Sequence, residues 1–183
     1  MTGRPAAAPP HFIELRVEQA AHLFDTLDPF PVPARDLARN VDEFVVGWAR
    51  ELPPGAPLRL VVHMPAAACG PGEREMLQSA FARYYAERAE MVGMDLKELF
   101  RVGRRSLAIG VGALAAAIAG GQLIAALAGQ GYVARVATEG LFILGWVANW
   151  RPVEIFLYEW WPLAQRRRLL RRLAAAPVEL QPV

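Results

Sequence analysis

The stretch Ser106–Gly129, SLAIGVGALAAAIAGGQLIAALAG, runs twenty-four residues without a charge. At about 1.5 Å rise per residue a helix over it reaches roughly 36 Å, enough to cross the roughly 30 Å hydrocarbon core of a bilayer. The rest of the chain is therefore read relative to a membrane. Hydrophobic residues make up 54% of the sequence and the mean hydropathy is +0.20, in keeping with that reading. The 183 residues suit one small domain plus membrane elements.

The net charge of +2 conceals a split: residues 1–96 carry 9 Arg against 13 Asp and Glu, and residues 97–183 carry 11 Lys and Arg against 5. The front part is an acidic soluble piece, and the back part is apolar sequence flanked by bases. Anionic headgroups are the partner expected for that basic excess, since most of it sits beside apolar segments. Cys69 is the only cysteine, which excludes an internal disulfide and fits a reducing compartment. Residues 1–10 are Pro- and Ala-rich and read as a disordered N-terminus, with no apolar core of a cleaved signal peptide. The abundance of Arg, Ala, Gly and Pro points to a GC-rich bacterial genome.

Upstream of the apolar stretch, HFIELRV (residues 11–17) alternates Ile13, Leu15 and Val17 against Phe12, Glu14 and Arg16, a strand pattern. LRLVVHM (residues 58–64) repeats that alternation. A short helix is expected within residues 18–27, and residues 28–33, DPFPVP, form an extended loop or turn. Between the strands, residues 34–51 predict an amphipathic helix carrying Leu37, Val41, Phe44, Val45 and Trp48, stopped by Pro53-Pro54-Gly55. Residues 65–72 make a small-residue loop. From Glu73 no proline interrupts the path to Gly129, so a helix running from the soluble piece into the membrane is expected, with loosening at Gly93 or Gly103. Two strands alone are marginal in water, so a third must come from elsewhere in the chain or from another subunit.

Gly129-Gln130-Gly131 makes a tight connection to a second span over residues 132–150, where Arg135 and Glu139 lie one helical turn apart and can pair. An alternative register, residues 140–157, buries Arg151, Pro152 and Glu154 near one edge at greater cost in lipid. The tail carries headgroup-level aromatics, Tyr158, Trp160 and Trp161, followed by Arg166, Arg167, Arg168, Arg171 and Arg172, which together read as a helix lying in the membrane surface. Lys97, Arg101, Arg104 and Arg105 precede the first span, and Arg151 with the arginine cluster follows the second. The positive-inside rule then puts both termini in the cytoplasm of a multi-pass inner-membrane protein.

The predicted architecture is an α+β membrane protein built from a small cytosolic β-α-β-α domain, a two-helix transmembrane hairpin and an amphipathic C-terminal helix. Its divisions are a cytosolic domain with a long juxtamembrane helix over 11–104, the hairpin over 105–150, and the aromatic and Arg-rich helix and tail over 151–183.

Small residues recur every four positions in the first span at Ala108, Gly112, Ala116 and Gly120, with a neighbouring row at Ala113, Ala117, Gly121 and Ala125. Such rows let helix backbones approach closely in lipid. They predict helix packing between subunits, with packing on the chain's own second span as the simpler use. Gln122 is expected to act as interhelical glue. Arg135 and Glu139 mark either an ion path or an interfacial pair, the latter favoured by their place at the end of the span.

No catalytic, cofactor-binding or metal-ligating set is expected. His11, His22 and His63 have no ligand spacing, and one cysteine makes no zinc motif. Gly70-Pro71-Gly72 lacks the Lys-Ser/Thr of a phosphate loop. Cys69 before a helix, or Glu154 with Glu159, would be the residues of a surface enzyme, a weak pattern in each case. No aromatics interleave the arginines, which argues against nucleic acid. The expected function is that of a non-enzymatic, membrane-anchored scaffold or adaptor that self-associates and holds a membrane or cytosolic protein partner. The alternative is a small oligomeric channel or transport subunit.

Overall fold

The computed structural model describes residues 11–31, 34–53, 55–129 and 131–183. The expectation of a disordered segment over 1–10 lies outside them, as do parts of the loops at 32–33, 54 and 130. The described residues up to Met91, together with Arg166–Val183, form one compact unit, and Val92–Gln165 form a second.

The first unit is built on a three-stranded parallel sheet in the order β1-β2-β3. Strand β1 (His11–Arg16) pairs with β2 (Leu58–Met64) from His11↔Leu58 to Arg16↔His63. On its other side β2 pairs with β3 (Val178–Pro182) from Leu60↔Val178 to Met64↔Pro182. The third strand thus comes from the C-terminal end of the same chain and not from another subunit. It lies within residues 151–183, where the sequence pattern predicts an interfacial helix and tail.

Parallel neighbours cannot be joined by a tight turn, so each connection is a crossover. Helix α1 (Arg39–Glu51) carries the first. It starts five residues later than residue 34, where the sequence periodicity begins. The preceding loop is held otherwise: Asp28 accepts the N–H groups of Phe30 and Asp36, both at 3.0 Å, and Leu37 bridges Phe24. The expected short helix within 18–27 is a single 3-10 turn, Ala20–Leu23. The second crossover leaves on α2 (Glu73–Ala128) and returns on α5 (Trp160–Ala174).

Register places Ile13, Leu15, Leu58, Leu60, Val62, Met64 and Val178 on one face of the sheet, and all are buried. Over this face pack Val41, Val45 and Ala49 of α1, Leu77, Phe81, Tyr85 and Ala89 of α2, and Leu170 and Leu173 of α5. Each buried Leu or Phe is worth about 1.5–3 kcal/mol, so α5 is a core element of this unit. The opposite face carries mainly polar side chains around a buried Val61, an uncommon condition for a parallel sheet. It carries an Arg59–Glu179 ion pair and a His63–Glu14 contact at 3.3 Å.

Helix α2 is 56 residues long and passes Gly93 and Gly103 without a break. Gly129, at φ +67°, takes the left-handed conformation that closes a helix C-terminus. In the second unit follow α3 (Tyr132–Val147), α4 (Trp150–Glu154) and a π-helical turn, Ile155–Glu159, before α5. The interruption at Ala148–Asn149 has a covalent cause: Pro152 has no N–H to give the carbonyl of Ala148.

Gln78 clasps the start of β3: its Nε2 donates to Ala176 O at 3.2 Å and its Oε1 accepts Val178 N–H at 2.7 Å. Replacing Gln78 with Ala should cost about 1–3 kcal/mol, the usual penalty for leaving buried backbone groups unpaired. Amide exchange at Val178–Gln181 should accelerate while that of β1 changes little. Unchanged exchange in β3 would show that the clasp does not hold the strand.

Candidate functional site

Helix α2 alone among the described residues is long and apolar enough to cross a membrane. Its apolar side chains face outward: Ile109, Leu123 and Leu127, with Leu144 of α3, are between 60% and 80% exposed. This inverts the arrangement of a water-soluble core, and so large an exposed apolar surface marks contact with lipid or protein.

Glycine faces inward. Gly103, Gly110 and Gly121 of α2 and Gly145 of α3 are buried. A Cβ at Gly145 would stand 2.9 Å from Ala117 Cβ and 3.0 Å from Leu114 Cα, and one at Gly121 2.9 Å from Thr138 Cγ2. At Gly110 it would meet Asn149 Oδ1 at 2.6 Å and Ala148 O at 3.0 Å, and at Gly103 Ile155 Cγ2 at 2.9 Å. The contacts 121 to 138, 117 to 145, 110 to 149 and 103 to 155 descend α2 as they ascend the following chain. These helices therefore run antiparallel, at a separation only glycine permits.

Two polar side chains pin the contact to glycine carbonyls. Asn149 Nδ2 donates to Gly110 O and Gly145 O, both at 3.0 Å. Thr138 Oγ1 donates toward Ala134 O at 2.9 Å and Gly121 O at 3.3 Å. Such interhelical bonds contribute roughly 0.6 to 2 kcal/mol in membrane proteins. Gly110, Gly103, Thr138 and Asn149 lie outside the rows of small residues spaced every four positions. Their signal is the spacing of Gly103, Gly110 and Gly121 by seven and eleven residues, which also keeps one helix face.

Of the two rows read from the sequence, Ala117 and Gly121 join this internal contact. The other row turns elsewhere: Ala108, Gly112 and Ala116 are exposed, and Gly120 touches only Leu141 Cδ1, at 3.6 Å. Nothing lies within 4 Å of a Cβ placed on Gly112. Gln122 is exposed. Arg135 Nε pairs with Glu139 Oε1 at 3.2 Å, both side chains largely exposed.

In the tail, Tyr158 and Trp161 are exposed, while half-buried Trp160 donates Nε1–H to Phe156 O at 2.9 Å. Glu154 and Glu159 both pair with Arg151, which holds the two carboxylates in a surface ion triad. Arg166, Arg168 and Arg171 are exposed and Arg167 is half-buried. Arg172 is tied to the sheet unit, donating to Ala56 O at 2.7 Å.

Within the sheet unit a cleft of about 540 Å³ is lined by Asp36, Asp42, Glu43, Arg39, Arg88 and Arg166 among others. Asp42, buried, pairs with Arg88, which also donates to Tyr84 Oη at 3.2 Å. Burial first, then the charge of Asp42, push the Tyr84 and Tyr85 hydroxyls above the usual phenol range, so both stay protonated. The acids and bases of this cleft balance one another, and its wall offers no cysteine or histidine. Cys69 is half-buried, its Sγ 4.0 Å from Met64 O. Among the described residues no group of three or more His, Cys, Asp or Glu could hold a metal ion.

Replacing Gly145 with Leu should force α2 and α3 apart and cost about 2 kcal/mol or more, as overpacking does. Gly112→Leu should leave thermal stability in detergent within about 0.5 kcal/mol, because it enters open space. Equal destabilisation by the two would contradict the assignment of faces. No protein-family model, curated protein or solved structure matches the chain.

Proposed function

We propose that this chain is a non-enzymatic, membrane-anchored scaffold that self-associates and presents its sheet unit to a protein partner at the cytoplasmic face of an inner membrane. The observation that carries the reading is connectivity. Strands β1 and β2 precede the apolar run of α2, β3 follows it, and all belong to one sheet. Strands of one sheet lie on one side of a bilayer, so a chain that crosses on α2 must cross back before Arg166.

Helix α3 supports the return, running antiparallel to α2 with apolar side chains outward. Its 16 residues give about 24 Å, and a short span is accommodated by local thinning and interfacial anchors. Tyr158 and Trp161, with Arg166, Arg168 and Arg171, are exposed where such anchors and anionic headgroups would meet. The same reasoning supports a two-helix hairpin with both ends on one side, and Lys97, Arg101, Arg104 and Arg105 before the first span favour the cytoplasmic one.

Self-association is supported by the open row Ala108, Gly112 and Ala116. The internal contact uses the Gly110–Gly121 face, so this row is left to pack on another helix. Gly112→Leu, silent for the internal packing, should shift the mass of the gently extracted protein toward the monomer. An unchanged oligomer would remove this face from the interface.

A further inference from the structure

We infer that β1 is the edge through which two copies of this chain join their sheets, antiparallel about a two-fold axis at Leu15, with Glu14 of each opposite Arg16 of the other. This rests on the self-associating reading above and names the surface that the sheet unit contributes.

The two edges of the sheet are unequal. At β3 the outward backbone groups are capped at Val178 and lack a donor at Pro182, which leaves those of Leu180 between them. Val178 gives its N–H to Gln78 and its carbonyl accepts from Arg74 Nε at 3.2 Å, and Pro182 has no N–H to offer. Proline and side-chain cover are the usual means of closing an edge to further pairing.

At β1 the direction of the backbone is set by its end bonds. His11 N–H donates to Pro57 O at 3.1 Å and Val17 N–H to His63 O at 3.0 Å, so the odd-numbered residues bond β2. The N–H and C=O groups of Phe12, Glu14 and Arg16 therefore point away from the sheet, and among the described residues none has a partner. Beside them runs a groove of about 440 Å³, bordered by Leu23, Val41 and the half-exposed ring of Phe44. It leaves room for a strand along Glu14–Val17.

Chemistry then selects the occupant. A two-fold axis makes the pairing antiparallel and requires outward residues to oppose outward residues. Registers centred on residue 14 or 16 place Glu14 against Glu14, or Arg16 against Arg16. One centred on residue 13 places Glu14 against Phe12. Only the register centred on Leu15 sets Glu14 opposite Arg16 twice, with Ile13 opposite Val17 on the apolar side. Four backbone bonds form at the Glu14 and Arg16 pairs. The resulting six strands end on two β3 edges capped at Val178 and interrupted by Pro182, which disfavours growth beyond the dimer.

The test uses the full-length protein in bilayer nanodiscs, with Cys69→Ala as background. Chains carrying Glu14→Cys and chains carrying Arg16→Cys, mixed and oxidised, should form the 14-to-16 disulfide, because opposed residues lie about 5.5 Å apart. The 14-to-14 and 16-to-16 pairs are offset by two residues and should form far less. Glu14→Arg or Arg16→Glu alone should weaken dimerisation on the order of tenfold, since symmetry counts each like-charge pair twice, and the double exchange should restore it. A dimer that shows no preference for the 14-to-16 disulfide, or ignores the charge exchange, overturns this pairing and leaves the scaffold reading standing. A wild-type protein that is monomeric in the bilayer overturns both.

Discussion

The pairing of β3 with β2 is the contact on which the rest of the structure depends. A parallel strand cannot reach its neighbour by a turn, so everything between Met64 and Val178 becomes one crossover, and the apolar run of α2 lies inside it. Removing Val178 from beside Leu60 would leave β2 without a partner on that side, and a two-stranded parallel sheet is poorly stable in water. Leu170 and Leu173 then complete the core from the same returning chain. The sheet unit is thus assembled from segments separated by more than a hundred residues, and its formation has to wait for the helices between them. Such long-range closure is slow to form, since loop entropy opposes it before any contact compensates.

The helical unit solves a different problem with different groups. With the large apolar side chains turned outward, close packing and hydrogen bonds hold these helices together. Gly103, Gly110, Gly121 and Gly145 permit the approach, and Asn149 and Thr138 reach glycine carbonyls that closeness makes available. The apolar side chains are left for the surroundings. Pro152 interrupts the regular hydrogen bonding at Ala148–Asn149, after which the chain continues through α4, the π-helical turn and α5.

Much of this could be read from the residues, and the exceptions have physical reasons. The alternation in HFIELR and LRLVVHM marks strands buried on one face, and the structure has strands at His11–Arg16 and Leu58–Met64. The absence of proline after Glu73 marks a helix that runs without a break to Ala128. Strand β3 was not legible: five residues, VELQP, offer two apolar positions and a proline, and they are a strand because Leu60–Met64 lies waiting to pair. The start of α1 was placed too early because its periodicity continues into a loop that Asp28 holds by side-chain bonds. In the tail, the aromatic and arginine pattern suggests a membrane surface, yet the leucines between the arginines serve the sheet's core. Periodicity shows that a helix has an apolar face but not which neighbour covers it. The glycine contact escaped for a similar reason, since two rows of small residues share the helix and only the partner distinguishes them.

The most direct check is the sidedness of the two strands that the apolar helix separates. Arg59 and Glu179 pair across β2 and β3 on the polar face. Single cysteines in their places, in a Cys69→Ala background, would be labelled with a membrane-impermeant maleimide in right-side-out and inside-out vesicles. Both positions should react from the cytoplasmic side only. Labelling of residue 59 from one side and residue 179 from the other would contradict a sheet closed across the membrane segment.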